Sequence, residues 1–377
     1  MSATWYLMAA GALVLTTLSA PVRLRMRTAV SAPRLVWVTP GEMRGTPVAD
    51  ASSIYVRTAM HELLAVDRAT GTVRWKARMA DAPGFVSGGR IVLAGDLVIA
   101  GTDDVEAFRR RDGARIWRAN LARGMGSGVQ LGGVLDDVVL AGSYAGLLLA
   151  IDVQSGAVRW AGRVTPEAET NVFVPAIDDD RVVATFSTFR GTGEGGVAAF
   201  DRHGRPLWRA RLAGPDERGV IGPAVPAGDV VVAADRRGTI AAVDRETGAV
   251  RWRIPRRLSV DAAEDFRPMV ASGSRLVVGS LSGEIVAYDM ATRREQWRAW
   301  PSDASIAFGM IARGDVVYVP YVSGRVVALD ARDGRERWRL GDRGEGFRWV
   351  PWLDGPSMFI NGAGSGLVAM TLEEENR

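Results

Sequence analysis

Ala65-Val66-Asp67-Arg68-Ala69-Thr70-Gly71-Thr72-Val73-Arg74-Trp75 returns, nearly residue for residue, as Ala242-Val243-Asp244-Arg245-Glu246-Thr247-Gly248-Ala249-Val250-Arg251-Trp252. Looser copies end at Trp117, Trp160, Trp208, Trp297 and Trp338, so seven tryptophans follow one another at separations of 42, 43, 48, 44, 45 and 41 residues. A period of this length, built from short apolar runs, predicts a β-propeller with one four-stranded blade per repeat. A blade cannot bury its faces alone. The repeats therefore read as one closed ring, not as the two or three domains that 377 residues would otherwise suggest.

The fifth repeat shows the pattern most clearly. An inner strand near Gly222-Pro223-Ala224-Val225 precedes Asp229-Val230-Val231-Val232-Ala233-Ala234, then Thr239-Ile240-Ala241-Ala242-Val243, then an outer strand ending at Trp252. β-Branched residues alternate within the runs, and Gly or Asp punctuates them. Similar units span 45–79, 86–121, 129–164, 173–212, 266–300 and 308–341. An eighth begins at Phe347 and runs out of chain before any outer strand, while Arg34-Leu35-Val36-Trp37-Val38 looks like an outer strand with no blade before it. Joining the two gives eight blades, the last closed by the N- and C-terminal segments, which removes an unpaired strand edge. The expected layout is an N-terminal segment over 1–33, an all-β ring over 34–372 and a polar tail over 373–377.

The recurring residues have structural tasks. Asp67, Asp152, Asp201, Asp244, Asp289 and Asp330 are placed to cap the last hairpin of each repeat, and Gly71, Gly113, Gly156, Gly204, Gly248 and Gly334 to supply a positive-φ turn position. Trp37, Trp75, Trp117, Trp160, Trp208, Trp252, Trp297 and Trp338 are expected to dock between neighbouring blades. Arg109 replaces the Asp in one repeat and Arg293 replaces the Gly in another.

Composition excludes several function classes. With no cysteine, the chain has no disulfide, thiolate metal site, thiol nucleophile or cysteine-linked lipid. The two histidines, His61 and His203, fall in different repeats at expected turns, which argues against a histidine metal site or a Ser-His-Asp triad. Net charge is only +4, Lys76 is the sole lysine, and no basic stripe interleaves with aromatics, so nucleic acid is not an expected partner. The arginines instead flank the repeat tryptophans and read as the solvated side of the outer strands.

Residues 1–22 carry no charged side chain and are followed by Arg23, Arg25 and Arg27. The stretch reads as a signal or membrane anchor, giving an exported, periplasmic or membrane-tethered protein. Taken strictly, the positive-inside rule favours the alternative of a cytoplasmic ring.

The phrase Ala-x-Asp-x-x-x-Gly-x-x-x-Trp resembles the tryptophan-docking motif of the PQQ-type β-propeller repeats, and the resemblance covers residues 34–372. In length, blade number and stitched last blade the chain is most similar to the BamB-like outer-membrane assembly propellers. That likeness implies a non-catalytic, monomeric scaffold without cofactor, contacting a protein or peptide partner, such as envelope assembly machinery, through loops on one face. The other branch, the quinoprotein dehydrogenases, implies pyrroloquinoline quinone (PQQ) with Ca²⁺ and remains the alternative. Against it, this chain lacks the adjacent cysteines on which many of those enzymes rest the quinone, and it lacks long pocket-building insertions.

Other motifs read as structure. Gly191-Thr192-Gly193-Glu194-Gly195-Gly196 fits a dinucleotide fingerprint on paper, but a strand follows it where a helix is needed. Asp178-Asp179-Asp180 reads as a solvated turn and does not match a Ca²⁺ loop. Partner contacts are expected on the connections into the inner strands, at Arg218, Glu264, Asp265, Arg267, Arg343, Glu345, Arg348 and Trp349. Trp349 and Trp352 also fit a purely structural role in packing the closing blade.

Overall fold

The computed structural model describes residues 33–80, 90–101, 104–119, 121, 128–166, 170–188, 194–213, 219–235, 238–255, 268–280, 282–302, 304–307, 309–341, 349–362 and 366–372. These form eight antiparallel sheets arranged as a ring of blades, without helices. Blades one to seven occupy 43–78, 91–119, 129–163, 170–213, 220–254, 269–299 and 311–340. Strands Val220–Ala227, Val230–Asp235, Ile240–Asp244 and Val250–Ile254 realise the expected fifth repeat. Blade four departs from four strands. Its inner strand is split into Thr170–Val172 and Ala176–Asp178, both paired with Arg181–Thr188, and the break contains Pro175, which has no N–H to give a ladder.

The eighth blade is stitched from both ends of the ring. Arg34–Thr39 lies antiparallel to Gly366–Thr371, with Trp37 opposite Ala369 and Thr39 opposite Leu367. The rest of the sheet is Ser357–Gly362 and Trp352–Asp354.

The core is divided into eight clusters, each shared by two adjacent blades. One of them joins Ile54, Val56 and Val66 of blade one to Phe359, Leu367 and Ala369 of blade eight. This division follows from strand alternation: each sheet is apolar on both faces and needs a neighbour on either side.

The tryptophans tie these interfaces together. In every blade the cross-strand partner of the tryptophan is alanine: Ala65, Ala107, Ala150, Ala199, Ala242, Ala287, Ala328 and, for Trp37, Ala369. In blades one to seven a register shift follows that alanine. A small partner and a bulge re-aim the indole past its own sheet edge towards the next blade. There Trp37 Nε1 donates to Arg68 O at 3.0 Å, Trp75 to Arg110 O at 2.8 Å, Trp117 to Val153 O at 2.8 Å and Trp208 to Arg245 O at 3.0 Å. Trp160 and Trp297 repeat the bond to Arg202 O and Ala331 O. Each of these rings lies flat against the turn glycine of the blade it reaches. At Gly71, φ is +75° and a Cβ would sit 2.7 Å from the Trp37 ring. Trp252 packs with Met290 in the core shared by blades five and six, and Trp338 with Tyr318 against blade eight.

The expected hairpin caps are present. Asp67 Oδ1 accepts from the N–H groups of Ala69 and Thr70, Asp152 and Asp244 do the same in their turns, and Asp330 Oδ1 accepts from the N–H of Arg332. Among the described residues no helix is long and apolar enough to cross a membrane. The 1–22 stretch and the 373–377 tail lie outside the described residues.

Candidate functional site

Strand direction gives the ring two unlike faces. One carries the turns after the inner and third strands. The other carries the hairpins between second and third strands and the connections from blade to blade.

On the turn face, carboxylates and arginines interlock. Arg74 bonds Asp67 at 2.6 Å and Arg337 bonds Asp330 at 2.8 Å, while Arg159 pairs with Asp152 and Arg251 with Asp244. On the opposite face, the arginines after the tryptophans find acids at the hairpins between second and third strands: Arg209 bonds Glu194 at 2.5 Å, Arg118 pairs with Asp104 and Arg298 with Glu284. The flanking arginines are therefore not merely a solvated face. Their partners lie seven or about fourteen residues away, brought alongside by a hairpin. Hydrogen bonds from Arg74 and Thr70 hold the Asp67 carboxyl at about 2, and those from Ser155 and Arg159 hold Asp152 at about 2. Asp244 and Asp330 are held below the usual carboxylate range by Arg251 and Arg332 respectively.

A second set of ion pairs crosses between blades. The residue whose carbonyl receives the indole sends its own guanidinium back to the preceding blade's first turn: Arg68 to Asp354 at 2.5 Å, Arg110 to Asp50 at 3.6 Å, Arg202 to Asp136, and Arg245 to Asp178 at 2.8 Å and to Asp179. Asp178 is thus a buried member of an interblade clasp and not a solvated turn residue, and its burial raises its pKa by more than Arg245 lowers it. The sequence offers no local cue for this pairing, because the partners are 66 or 67 residues apart.

Between blades one and two these groups border a polar cavity of about 390 Å³, lined by Asp50, Tyr55 and Arg109 to Arg111. Tyr55 donates to Asp50 Oδ2 at 2.9 Å, and burial together with that carboxylate pushes the phenol up to about 12. Burial raises Asp50, but hydrogen bonds from Ser52, Ser53 and Tyr55 outweigh it and hold the carboxyl below its ordinary value. Each group here has a structural partner. His61 and His203 both sit in turns, as expected.

A larger cavity, about 790 Å³, runs through the middle of the ring. Seven blades line it, six of them through Val92, Val134, Phe173, Pro223, Ile311 and Trp349. Val48 of blade one completes the set. The size falls within the ~300–1,000 Å³ typical of small-molecule sites. Gln130 and Asn171 bond each other at 3.3 Å. Arg90 is the one charged side chain among the described lining residues. It is open to the lumen yet ringed by protein, and that desolvation lowers its pKa.

Of the expected partner-contact residues only Trp349 is described, and it does line this lumen. Arg218, Glu264, Asp265, Arg267, Arg343, Glu345 and Arg348 lie outside the described residues. Trp352 serves both readings, lining the lumen and packing on the cores that join blade one to blades eight and two. Among the described residues the lumen lining contains no Asp or Glu, and no group of three or more His, Asp or Glu is placed to hold a metal ion.

Comparison with known proteins agrees with this geometry. The outer membrane protein assembly factor BamB of Bordetella pertussis is 29% identical over 240 residues, 59% of this chain and 58% of that protein. The chain spans less than two thirds of the length of the curated relatives it matches. Among solved structures, BamB from Moraxella catarrhalis superposes with a TM-score of 0.61 at 21% identity, covering 76% of this chain and 85% of that one. A europium-containing methanol dehydrogenase reaches 0.71 at 15% identity, covering 87% and 84% respectively, which shows a shared fold alone. The family model described as outer membrane protein assembly factor BamB matches residues 30–104, 101–191 and 193–345, from the closing strand through blade seven. A ring closed by its own first strand, with a docking tryptophan in every blade and that match along most of its length, belongs to the BamB family.

Proposed function

We propose that this protein is a non-catalytic scaffold in outer-membrane protein assembly, exported or membrane-tethered, which binds protein partners through the face carrying the blade-to-blade connections. The family match over 30–345 carries the reading. The division of labour in the ring supports it: the tryptophans and the arginine clasps join neighbouring blades, and the turn aspartates and flanking arginines hold the outer hairpin within each blade. We assign the partner contacts to the connections that include Arg218, Glu264, Asp265, Arg267, Arg343, Glu345 and Arg348, with Trp349 where one of them enters blade eight. We assign residues 1–22 to export or anchoring.

The test is affinity purification of a tagged full-length chain from fractionated cells. Recovery of outer-membrane barrel-assembly components in near-stoichiometric amount, reduced at least fivefold by Arg343→Ala combined with Arg348→Ala, is the expected result. A cytoplasmic location, or recovery of none of those components, would sink the proposal.

A further inference from the structure

The axial lumen has a chemical character of its own, and its ligand need not be the protein partner. Among the described residues its walls are mostly aliphatic and aromatic, Gln130 and Asn171 bond each other, and the one charge is a guanidinium. Arg90 has no carboxylate partner among the described residues. It stands one residue before the inner strand Ile91–Ala94, at the same end of the lumen as Trp349 and Val350, which precede the inner strand Trp352–Asp354. The cation is therefore at one end and the apolar wall of Val92, Val134 and Ile311 extends away from it.

We propose that the lumen is a binding site for an aliphatic amphiphile with a single anionic head, the head on Arg90 and the tail against Val92, Val134 and Ile311. An apolar tail gains roughly fourfold in affinity for each methylene taken out of water, until the space is filled. In surroundings of low polarity an anionic head on a guanidinium is worth more than it would be in bulk water. A cationic head meets like charge, and a neutral head leaves the guanidinium unmatched. A peptide is less well suited, since every residue brings an N–H and a C=O that must find partners, and the polar side chains described in the lining are few. The same lining is a poor match for a polyanionic aromatic cofactor, which needs several cations.

Calorimetric titration of the full-length protein with decanoate, 1-decanol and decyltrimethylammonium, all below micelle-forming concentrations, tests this. One saturable site is expected, with decanoate about fivefold tighter than the alcohol and at least tenfold tighter than the cation. Octanoate should bind about fifteenfold more weakly than decanoate. Arg90→Gln should bring decanoate down to the level of the alcohol without changing the alcohol's affinity, and Arg90→Lys should retain most of the preference. Val134→Trp, which fills the lumen, should weaken all three, with circular dichroism showing the ring intact. Equal binding of the three head groups, a preference that survives Arg90→Gln, or no saturable binding would overturn the proposal. So would an apolar hexapeptide acid that displaces decanoate at lower concentration. Co-purification with assembly components reads different residues, so either proposal can fail without the other.

Discussion

Replacing Gly71 with alanine adds one methyl group at the point where the ring closes. Two costs follow. An L-residue at φ +75° carries left-handed strain of about 1–2 kcal/mol, and the new Cβ would sit 2.7 Å from Cδ2 and Cε3 of Trp37 and 3.0 Å from Cγ, too close for the root of a rigid ring to yield by rotation. Overpacking of that kind costs about 1–3 kcal/mol. Gly95 is the matched control: its φ is +53° and a Cβ there meets nothing within 4 Å, so Gly95→Ala carries the strain without the collision. Alanine also stiffens the unfolded chain equally in both variants, by about 0.4–1 kcal/mol. The net expectation is about 1 kcal/mol for Gly95→Ala and about 2–4 kcal/mol for Gly71→Ala. At about 2.1 cal/mol/K per residue over a ring of about 340 residues, that is about 1–2 °C against about 3–6 °C in melting midpoint by scanning calorimetry. Equal shifts would refute the argument, because they would mean that Trp37 moves away at no cost and that its docking on blade one does not hold the ring shut.

Three further outcomes follow from the turn face. The carboxyls of Asp67 and Asp152 are held at about 2, against about 3.9 in an unfolded chain, so between pH 4 and 2 the unfolded chain binds protons that the folded chain refuses. Stability contributed by these groups should be level from pH 5 to 8 and fall as pH drops from 4 to 2, and a melting midpoint unchanged over that last interval would contradict the pairing. Arg245→Gln leaves the buried Asp178 carboxylate without its cation and should cost about 1–3 kcal/mol in urea unfolding. Adding Asp178→Asn should recover more than half of that, whereas simple additivity would argue against the interblade clasp. Arg293 holds φ +62° where six other repeats have glycine, so Arg293→Gly should relieve about 1–2 kcal/mol of strain, less about 0.5–1 kcal/mol of added chain entropy. A small rise in melting midpoint is expected, and a fall would mean that the Arg293 side chain stabilises its turn.

The fold was legible because its determinants are local and repeated. Trp75 and Gly71 fall inside one eleven-residue phrase, and the lone Trp37 predicts the stitched blade because a ring has no free edge. The alanine opposite each tryptophan was in the phrase as well, but the register shift beside it belongs to a pair of strands and is invisible in either alone. The clasps were missed because their partners, such as Arg68 and Asp354, meet only when blades are neighbours. Of the described lumen lining only Trp349 was foreseen as a contact residue, for a related reason: the lumen is assembled from single residues of many blades. A signal did exist, since Val48, Val92, Val134, Pro223 and Ile311 all lie 25 to 29 residues before their blade's tryptophan, a phase that picks out the inner strand. Arg90 stands 27 residues before Trp117 and could have been found that way.

The stitched blade also imposes an order in time. The strand Arg34–Thr39 is made about 330 residues ahead of its partner Gly366–Thr371. At synthesis rates of about 5–20 residues per second, it waits roughly 17–70 s before that partner exists. Through that interval it is a loose β-strand with Leu35, Val36 and Trp37 uncovered, while the other blades can stack one after another behind it. Even in the finished ring Val36 remains 51% exposed and Leu35 37%. The slowest and most interruptible event in making this protein is therefore the return of its beginning to its end, and any factor that shields a single extended strand would act on yield without touching the mature ring.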